Sequence, residues 1–187
     1  NSFIIYVDDA GKHNCLKNGL TDIFVRENIG ILSIDTRGTG DTYYAEEFEI
    51  ATSSLMLGRS LIGQRVWDAI RSVDFLHERF PDEIQVGFLG NGYVSGLLAI
   101  FSTALDQRIK FAVSNGTILS YKSFISEEEA FPASMYVFNI LRHFDLPQIA
   151  VAIAPRPLSI VNPIDGLGYP VPLGYAEKEY TPTRSAY

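Results

Sequence analysis

Short continuous apolar runs alternate with longer stretches in which apolar residues recur every three or four positions, and this predicts strands and helices in turn. Ser2–Val7 is an apolar, β-branched run, broken by Asp8-Asp9-Ala10-Gly11 in the manner of a strand end. Leu16–Glu27 follows with helical spacing at Leu16, Leu20, Ile23 and Phe24. Gly30–Asp35 reads as a second buried strand, closed by the glycines of Arg37-Gly38-Thr39-Gly40, and the polar, aromatic stretch Asp41–Thr52 is expected as a surface loop. The clearest helix, about Leu57–Phe80, carries Ile62, Val66, Ile70 and Val73 on one stripe and stops at Pro81. Ile84–Leu89 is a third strand, Tyr93–Ala104 a helix of small and apolar residues, Ile109–Val113 a fourth strand and Leu158–Val161 a fifth. Between the last two strands, residues 116–154 are expected as an irregular or lid-like insertion within one domain spanning 1–187.

Strands that are apolar throughout, rather than at alternate positions, belong to a parallel sheet covered on both faces. The expected architecture is an α/β three-layer sandwich around a mostly parallel sheet. Ligand sites in such sheets form outside the carboxyl ends of the strands. The residues to weigh are then Asp8-Asp9, Asp35, Gly90–Val94, Asn115 and Asn162–Asp165.

Composition narrows the functional classes. The chain has 187 residues, 47% hydrophobic and 20% charged, the balance of a globular domain with a real core. A net charge of −7 argues against a nucleic-acid partner, which requires a basic face. No apolar run approaches the roughly 18 residues of a membrane span, so no membrane partner is expected. Cys15 is the single cysteine, which rules out an internal disulfide and leaves a buried, inert thiol as its expected role. No His, Cys and Asp spacing resembles a metal-ligand set, and neither a metal nor another cofactor is expected. The first residues lack the basic region of a signal peptide, so the chain is cytoplasmic or has lost upstream sequence, and the compartment stays open.

A family resemblance rests on several motifs in order. Asp35-Thr36-Arg37-Gly38-Thr39-Gly40 resembles the acid-x-Arg-Gly-x-Gly turn of α/β-hydrolases. Gly58-Arg59-Ser60, Trp67-Asp68 in the long helix, and Val86-Gly87-Phe88-Leu89-Gly90 continue the likeness. Phe144-Asp145-Leu146-Pro147, Ala154-Pro155-Arg156-Pro157 and Val161-Asn162-Pro163-Ile164-Asp165-Gly166 resemble the segment around the acid-bearing strand. Together they are most similar to the branch that contains acetyl xylan esterases and related carbohydrate esterases. The resemblance implies an α/β-hydrolase fold, incomplete here at both ends, and a small ester or carbohydrate ligand.

Ester hydrolysis on that fold needs a serine on a tight strand-to-helix turn, Gly-x-Ser-x-Gly. Here the turn is Gly90-Asn91-Gly92-Tyr93-Val94: Gly92 stands at the nucleophile position and Val94 replaces the second glycine. Glycine has no oxygen with which to attack a carbonyl. Ser95 lies three residues further on, where a hydroxyl packed or bonded within a helix is the expected role and a displaced nucleophile the alternative. Asp165 is placed by the resemblance at the acid position that orients a histidine, and an Asp-Gly turn is its other reading. No histidine follows Asp165. His13 lies on a polar turn near the oxyanion loop, His77 on the long helix, and His143 in the irregular stretch, the least remote stand-in. Oxyanion donors implied by the resemblance are the backbone amides of Tyr93 and of the Asp8–Ala10 loop, at Asp9. Two carboxylates in that loop would repel an oxyanion. Exposed turn acids are their commoner role, and Glu127-Glu128-Glu129 is likewise expected as a solvated cluster.

Gly90-x-Gly92-x-x-Ser95 also approaches a dinucleotide fingerprint, but the next strand ends in Val113-Ser114-Asn115 without the carboxylate such a site requires. Three functions remain: an esterase-derived hydrolase that is inactive as a relic or fragment, a non-catalytic domain binding a ligand or partner in the old cleft, and an esterase whose nucleophile has moved to Ser95 or Cys15. Open sheet edges further predict a homo-oligomer, or dependence on neighbouring sequence for solubility.

Overall fold

The computed structural model describes residues 1–126 and 131–187. In chain order the elements are β1 (Ser2–Asp8), α1 (Asn14–Lys17), α2 (Leu20–Arg26), β2 (Ile29–Ser33), α3 (Glu47–Met56), α4 (Leu61–Arg79), β3 (Gln85–Asn91), α5 (Tyr93–Leu105), β4 (Ile109–Asn115), α6 (Tyr121–Ser126), α7 (Leu146–Val151), β5 (Leu158–Val161), α8 (Leu173–Glu179) and α9 (Thr181–Arg184). The five strands form one sheet in the order β2-β1-β3-β4-β5. Every pairing between them is parallel. The expected α/β class, with helices covering a parallel sheet, is what the chain adopts.

Burial explains why the strands read as unbroken apolar runs. In β1, Ile4, Ile5, Tyr6 and Val7 are each at most 3% exposed, so both faces of the strand are covered. One core runs from Ile5, Val7, Val86 and Phe88 of the sheet into Val66, Ala69 and Val73 of α4 and Leu97, Leu98 and Ile100 of α5. The chain moves one way from β1 to β2 and the other way from β3 to β4 and β5. The order therefore reverses between β1 and β3, whose carboxyl ends lie side by side with Asp8 opposite Asn91. A crevice for a ligand is expected at that reversal.

Local chemistry accounts for the boundaries. Helix α4 starts at Leu61 rather than Leu57, because the Ser60 hydroxyl accepts from the Gly63 amide as an N-cap. The expected single helix Leu16–Glu27 is two short ones, α1 and α2, split at Gly19, whose φ of +74° is left-handed. Asp41–Thr52, expected as a loop, instead holds a 3-10 turn at Gly40–Thr42 and the first half of α3. That helix buries only Ala51, so it has no apolar stripe to announce it. Its partner is polar: the guanidinium of Arg65 on α4, 1% exposed, reaches Glu47 at 3.4 Å and donates to the Arg37 carbonyl at 2.9 Å.

In residues 116–154 the described part contains α6, two 3-10 turns and α7. Its Met135, Ile140, Leu146 and Ile149 belong to the main core. Asp145 caps α7 and reaches back to accept from the amides of Tyr121 at 2.6 Å and Lys122 at 3.1 Å, tying the stretch to itself. Residues 127–130, with the expected acidic cluster Glu127-Glu128-Glu129, lie outside the described residues.

Candidate active site at the strand ends

The turn after β3 is an elbow in geometry. Gly92 has φ +116° and ψ −179°, and α5 begins at the next residue. The Gly92 amide donates to the Asn115 carbonyl at 2.9 Å, which fastens the turn to the end of β4. The Tyr93 amide, expected as an oxyanion donor, has no acceptor among the described residues. Its ring stands edge-on to Phe131 at 5.5 Å. The Asp9 amide, the other expected donor, is engaged with the Asn91 carbonyl at 3.0 Å.

The two acids of the β1 loop part company because successive side chains point to opposite faces of a strand. Asp9 turns toward α5. Its carboxylate accepts from the amides of Val94 at 3.1 Å and Ser95 at 2.9 Å, and from the Ser95 hydroxyl at 2.6 Å. Ser95 is 2% exposed, and its hydroxyl is thereby committed to Asp9 rather than packed against its own helix. Asp8 turns the other way and is 3% exposed. The expectation that it is a solvated turn acid is wrong for a clear reason: Asp8 shares the face of Tyr6, which lies under α1. Its carboxylate accepts from the Tyr6 hydroxyl, the Ala10 amide at 2.8 Å, and the side-chain amides of Asn14 and Asn91, both at 2.7 Å. Burial raises the carboxyl's pKa, but the hydrogen bonds from Asn14, Tyr6, Asn91 and Ala10 outweigh it and hold the group below the ordinary aspartate value. Burial and the Asp8 charge together push the Tyr6 phenol up, so it remains a donor.

From Asp8 a row of amides crosses the sheet ends. Asn91 Oδ1 accepts from Asn115 Nδ2 at 2.6 Å, and Asn115 Oδ1 accepts from Asn162 Nδ2 at 2.9 Å. A carboxylate only accepts, so it orients Asn91, and each amide then orients the next. Asn91, Asn115 and Asn162 all fall among the strand-end positions weighed from sequence; what the sequence does not reveal is that their side chains join in one row.

The remaining candidates stand apart. Asp165 Oδ1 accepts from the amides of Leu167 and Tyr169, both at 2.9 Å, which makes an Asx turn; no histidine is bonded to it among the described residues. A cavity of about 370 Å³ runs beside Asp165, with Ser120, Lys122 and Tyr175 in its wall. A larger one, about 780 Å³, lies along β5 against Leu158, Ile160 and Tyr180. Neither is lined by Asp9, Gly92 or Ser95. His13 is exposed, with Nε2 at 3.6 Å from Asp41. His143 is exposed beside Phe144, and His77 is half-buried on α4. Cys15 is buried, its thiol directed at the Lys12 carbonyl at 3.1 Å. No group of three or more His, Cys, Asp or Glu is placed to hold a metal among the described residues.

The motifs behind the resemblance do hold this region together. Asp35 accepts from the Lys12 amide at 2.7 Å, from Lys12 Nζ at 3.0 Å and from the Asp41 amide at 2.9 Å. Arg37 clamps Asp68 of α4 through Nε at 2.8 Å and its own amide at 3.0 Å.

An all-parallel sheet with a strand-to-helix elbow at its point of reversal has the architecture of the α/β-hydrolase fold, and the chain has that fold. The resemblance to α/β-hydrolases is borne out at the level of the fold. In sequence the chain is 32% identical over 158 residues to YtaP of Bacillus subtilis (strain 168), whose hydrolase assignment is provisional. That match covers 81% of this chain and 52% of YtaP, so the chain spans about half the length of this curated relative. In structure it is similar to a provisionally assigned acetyl xylan esterase from Bacteroides fragilis NCTC 9343, with a TM-score of 0.71 at 15% identity over 96% of this chain and 55% of that one. It is also similar to the glucuronoyl esterase from Solibacter usitatus, with a TM-score of 0.68 at 14% identity over 98% of this chain and 61% of that one. No family profile matches the chain.

Proposed function

We propose that this chain descends from carboxylic ester hydrolases acting on carbohydrate esters and does not itself hydrolyse esters through the elbow. The carrying observation is at the elbow: Gly92 has no hydroxyl, and the next serine along the chain, Ser95, has its Oγ buried and bonded to a carboxylate. Acyl transfer requires a nucleophile with a base within hydrogen-bond reach and a third group orienting the base. Ser95 has an acid beside it instead of an imidazole, and Asp165 orients backbone amides. Descent is supported by the esterases among the structural neighbours and by the likeness to YtaP. The activity, substrates and partners of the whole protein are part of the same proposal.

Exposure to a fluorophosphonate, followed by intact mass and peptide mapping, tests it. Beside a labelled active esterase, the expected result is an unmodified chain. An adduct on Ser95 overturns the reading and makes the chain a hydrolase with a displaced nucleophile.

A further inference from the structure

The volume that any side chain at position 92 would need is already occupied. An ideal Cβ built on Gly92 falls 2.4 Å from both Cγ and Oδ2 of Asp9 and 2.8 Å from its Cβ. Separations under about 3 Å between such atoms do not occur without movement, so one of the two residues must yield. The same carboxylate performs a second task. The first turn of a helix presents amides without intrahelical partners and a partial positive charge. Gly92 is the N-cap residue of α5 and has no side chain to offer them. Asp9, arriving from the next strand, bonds the Val94 and Ser95 amides in its place.

We propose that Asp9 and Gly92 are a compensating pair that seals the elbow: the Asp9 carboxylate fills the space of an elbow side chain and caps the start of α5. The loss of a side chain at 92 and the presence of an acid at 9 are thus one change distributed over two strands. With the carboxylate in place, the elbow is shut to acyl chemistry in two ways. A serine restored at 92 has room only if it drives the Asp9 side chain off the α5 amides, and a tetrahedral oxyanion would form beside a carboxylate. The inference rests on the proposed descent for what the elbow formerly did. Its test reads stability and exchange, so a fluorophosphonate adduct on Ser95 would overturn the functional reading without deciding this one.

The test is a double-mutant cycle by urea denaturation, with Gly92→Ala introduced into the native chain, Asp9→Asn and Asp9→Gly. The asparagine keeps the volume of the acid without its charge, and the glycine clears both. Gly92→Ala should lower the folded-to-unfolded ratio by about 100-fold or more in the native and Asp9→Asn backgrounds. In Asp9→Gly only the strain of the positive φ remains, and the loss should be at least about tenfold smaller. The extra backbone freedom of a glycine at 9 is common to both corners and cancels. Failure of Gly92→Ala to fold except alongside Asp9→Gly gives the same support, whereas equal losses in all three backgrounds overturn the pair. Amide hydrogen exchange in Asp9→Gly alone gives a second reading. The Val94 and Ser95 amides should exchange about tenfold faster or more, with Leu98 unchanged, and unaltered exchange at both also overturns it.

Discussion

Asp8 shows what one residue can decide in this protein. It is a buried charge, and it is tolerated because four donors converge on it, three on Oδ2 and the Ala10 amide on Oδ1. Asp8→Asn keeps the shape but turns its NH2 either toward the Ala10 amide or toward the donors of Tyr6, Asn14 and Asn91, so at least one donor loses its acceptor. A destabilisation of about 2–3 kcal/mol is expected at neutral pH in urea denaturation. The pH dependence has a definite sign. Because the folded carboxyl lies below its ordinary value near 3.8, its contribution is complete above that value and is lost as the pH falls through the lower folded one. The gap in stability between the native chain and Asp8→Asn should then be flat from pH 7 to about 5 and narrow below about pH 4. Asp35 and Asp106 are also held below the ordinary value and weaken in acid, but they do so in both proteins and drop out of the difference. A gap that widens in acid would contradict the assignment. At this scale the sequence displayed the acids and concealed their surroundings. Asp8 and Asp9 are neighbours and chemically identical, yet one is buried under α1 and the other caps α5.

At the scale of elements, the junction of β3 and α5 sets the shape of the site. An ideal Cβ on Gly90 would fall 1.9 Å from the Ser95 carbonyl oxygen, so the helix can fold back over the strand end only where that strand residue has no side chain. Gly90→Ala should therefore cost more than about 3 kcal/mol, beyond an ordinary overpacked core position, because the obstacle is backbone that cannot change rotamer. Thermal or urea unfolding measures it, and a loss under about 1 kcal/mol would mean that α5 shifts freely. The close approach was legible as the first glycine of the elbow motif. Helix α3 was not, because its neighbours hold it by Arg65 and Glu47 rather than by an apolar stripe. Helices α8 and α9 carry no legible apolar stripe for a related reason. Each is short, α8 buries no residue, and the buried contacts are Tyr180 between the two helices and Thr183 in α9, the tyrosine hydroxyl donating to the Leu119 carbonyl at 3.1 Å and the threonine hydroxyl to the Pro147 carbonyl at 2.7 Å.

For the molecule as a whole, β2 and β5 are the outer strands, and among the described residues each is paired on one side only. Along β5 the open edge adjoins the apolar wall formed by Leu158, Ile160 and Tyr180. Unpaired strand edges next to apolar surface recruit further strands. Light scattering after size exclusion should give a mass above 20.8 kDa that rises with concentration, and Ile160→Lys should lower it. A fixed mass of one chain at high concentration would remove the expectation of self-pairing.

By itself the sequence determined the class of fold, the five strands and the missing elbow hydroxyl, because buried parallel strands and helix stripes are written in local periodicity and a nucleophile is present or absent as a residue type. Only the tertiary structure decided where the polar groups go. Asp9 against Gly92, Asp8 against Asn91, and the row through Asn115 to Asn162 join positions distant in the chain and adjacent at the sheet ends. Such pairings depend on strand order and register, which no local pattern encodes, and they determine whether an acid is a solvated turn residue, a buried anchor or the stopper of its own site.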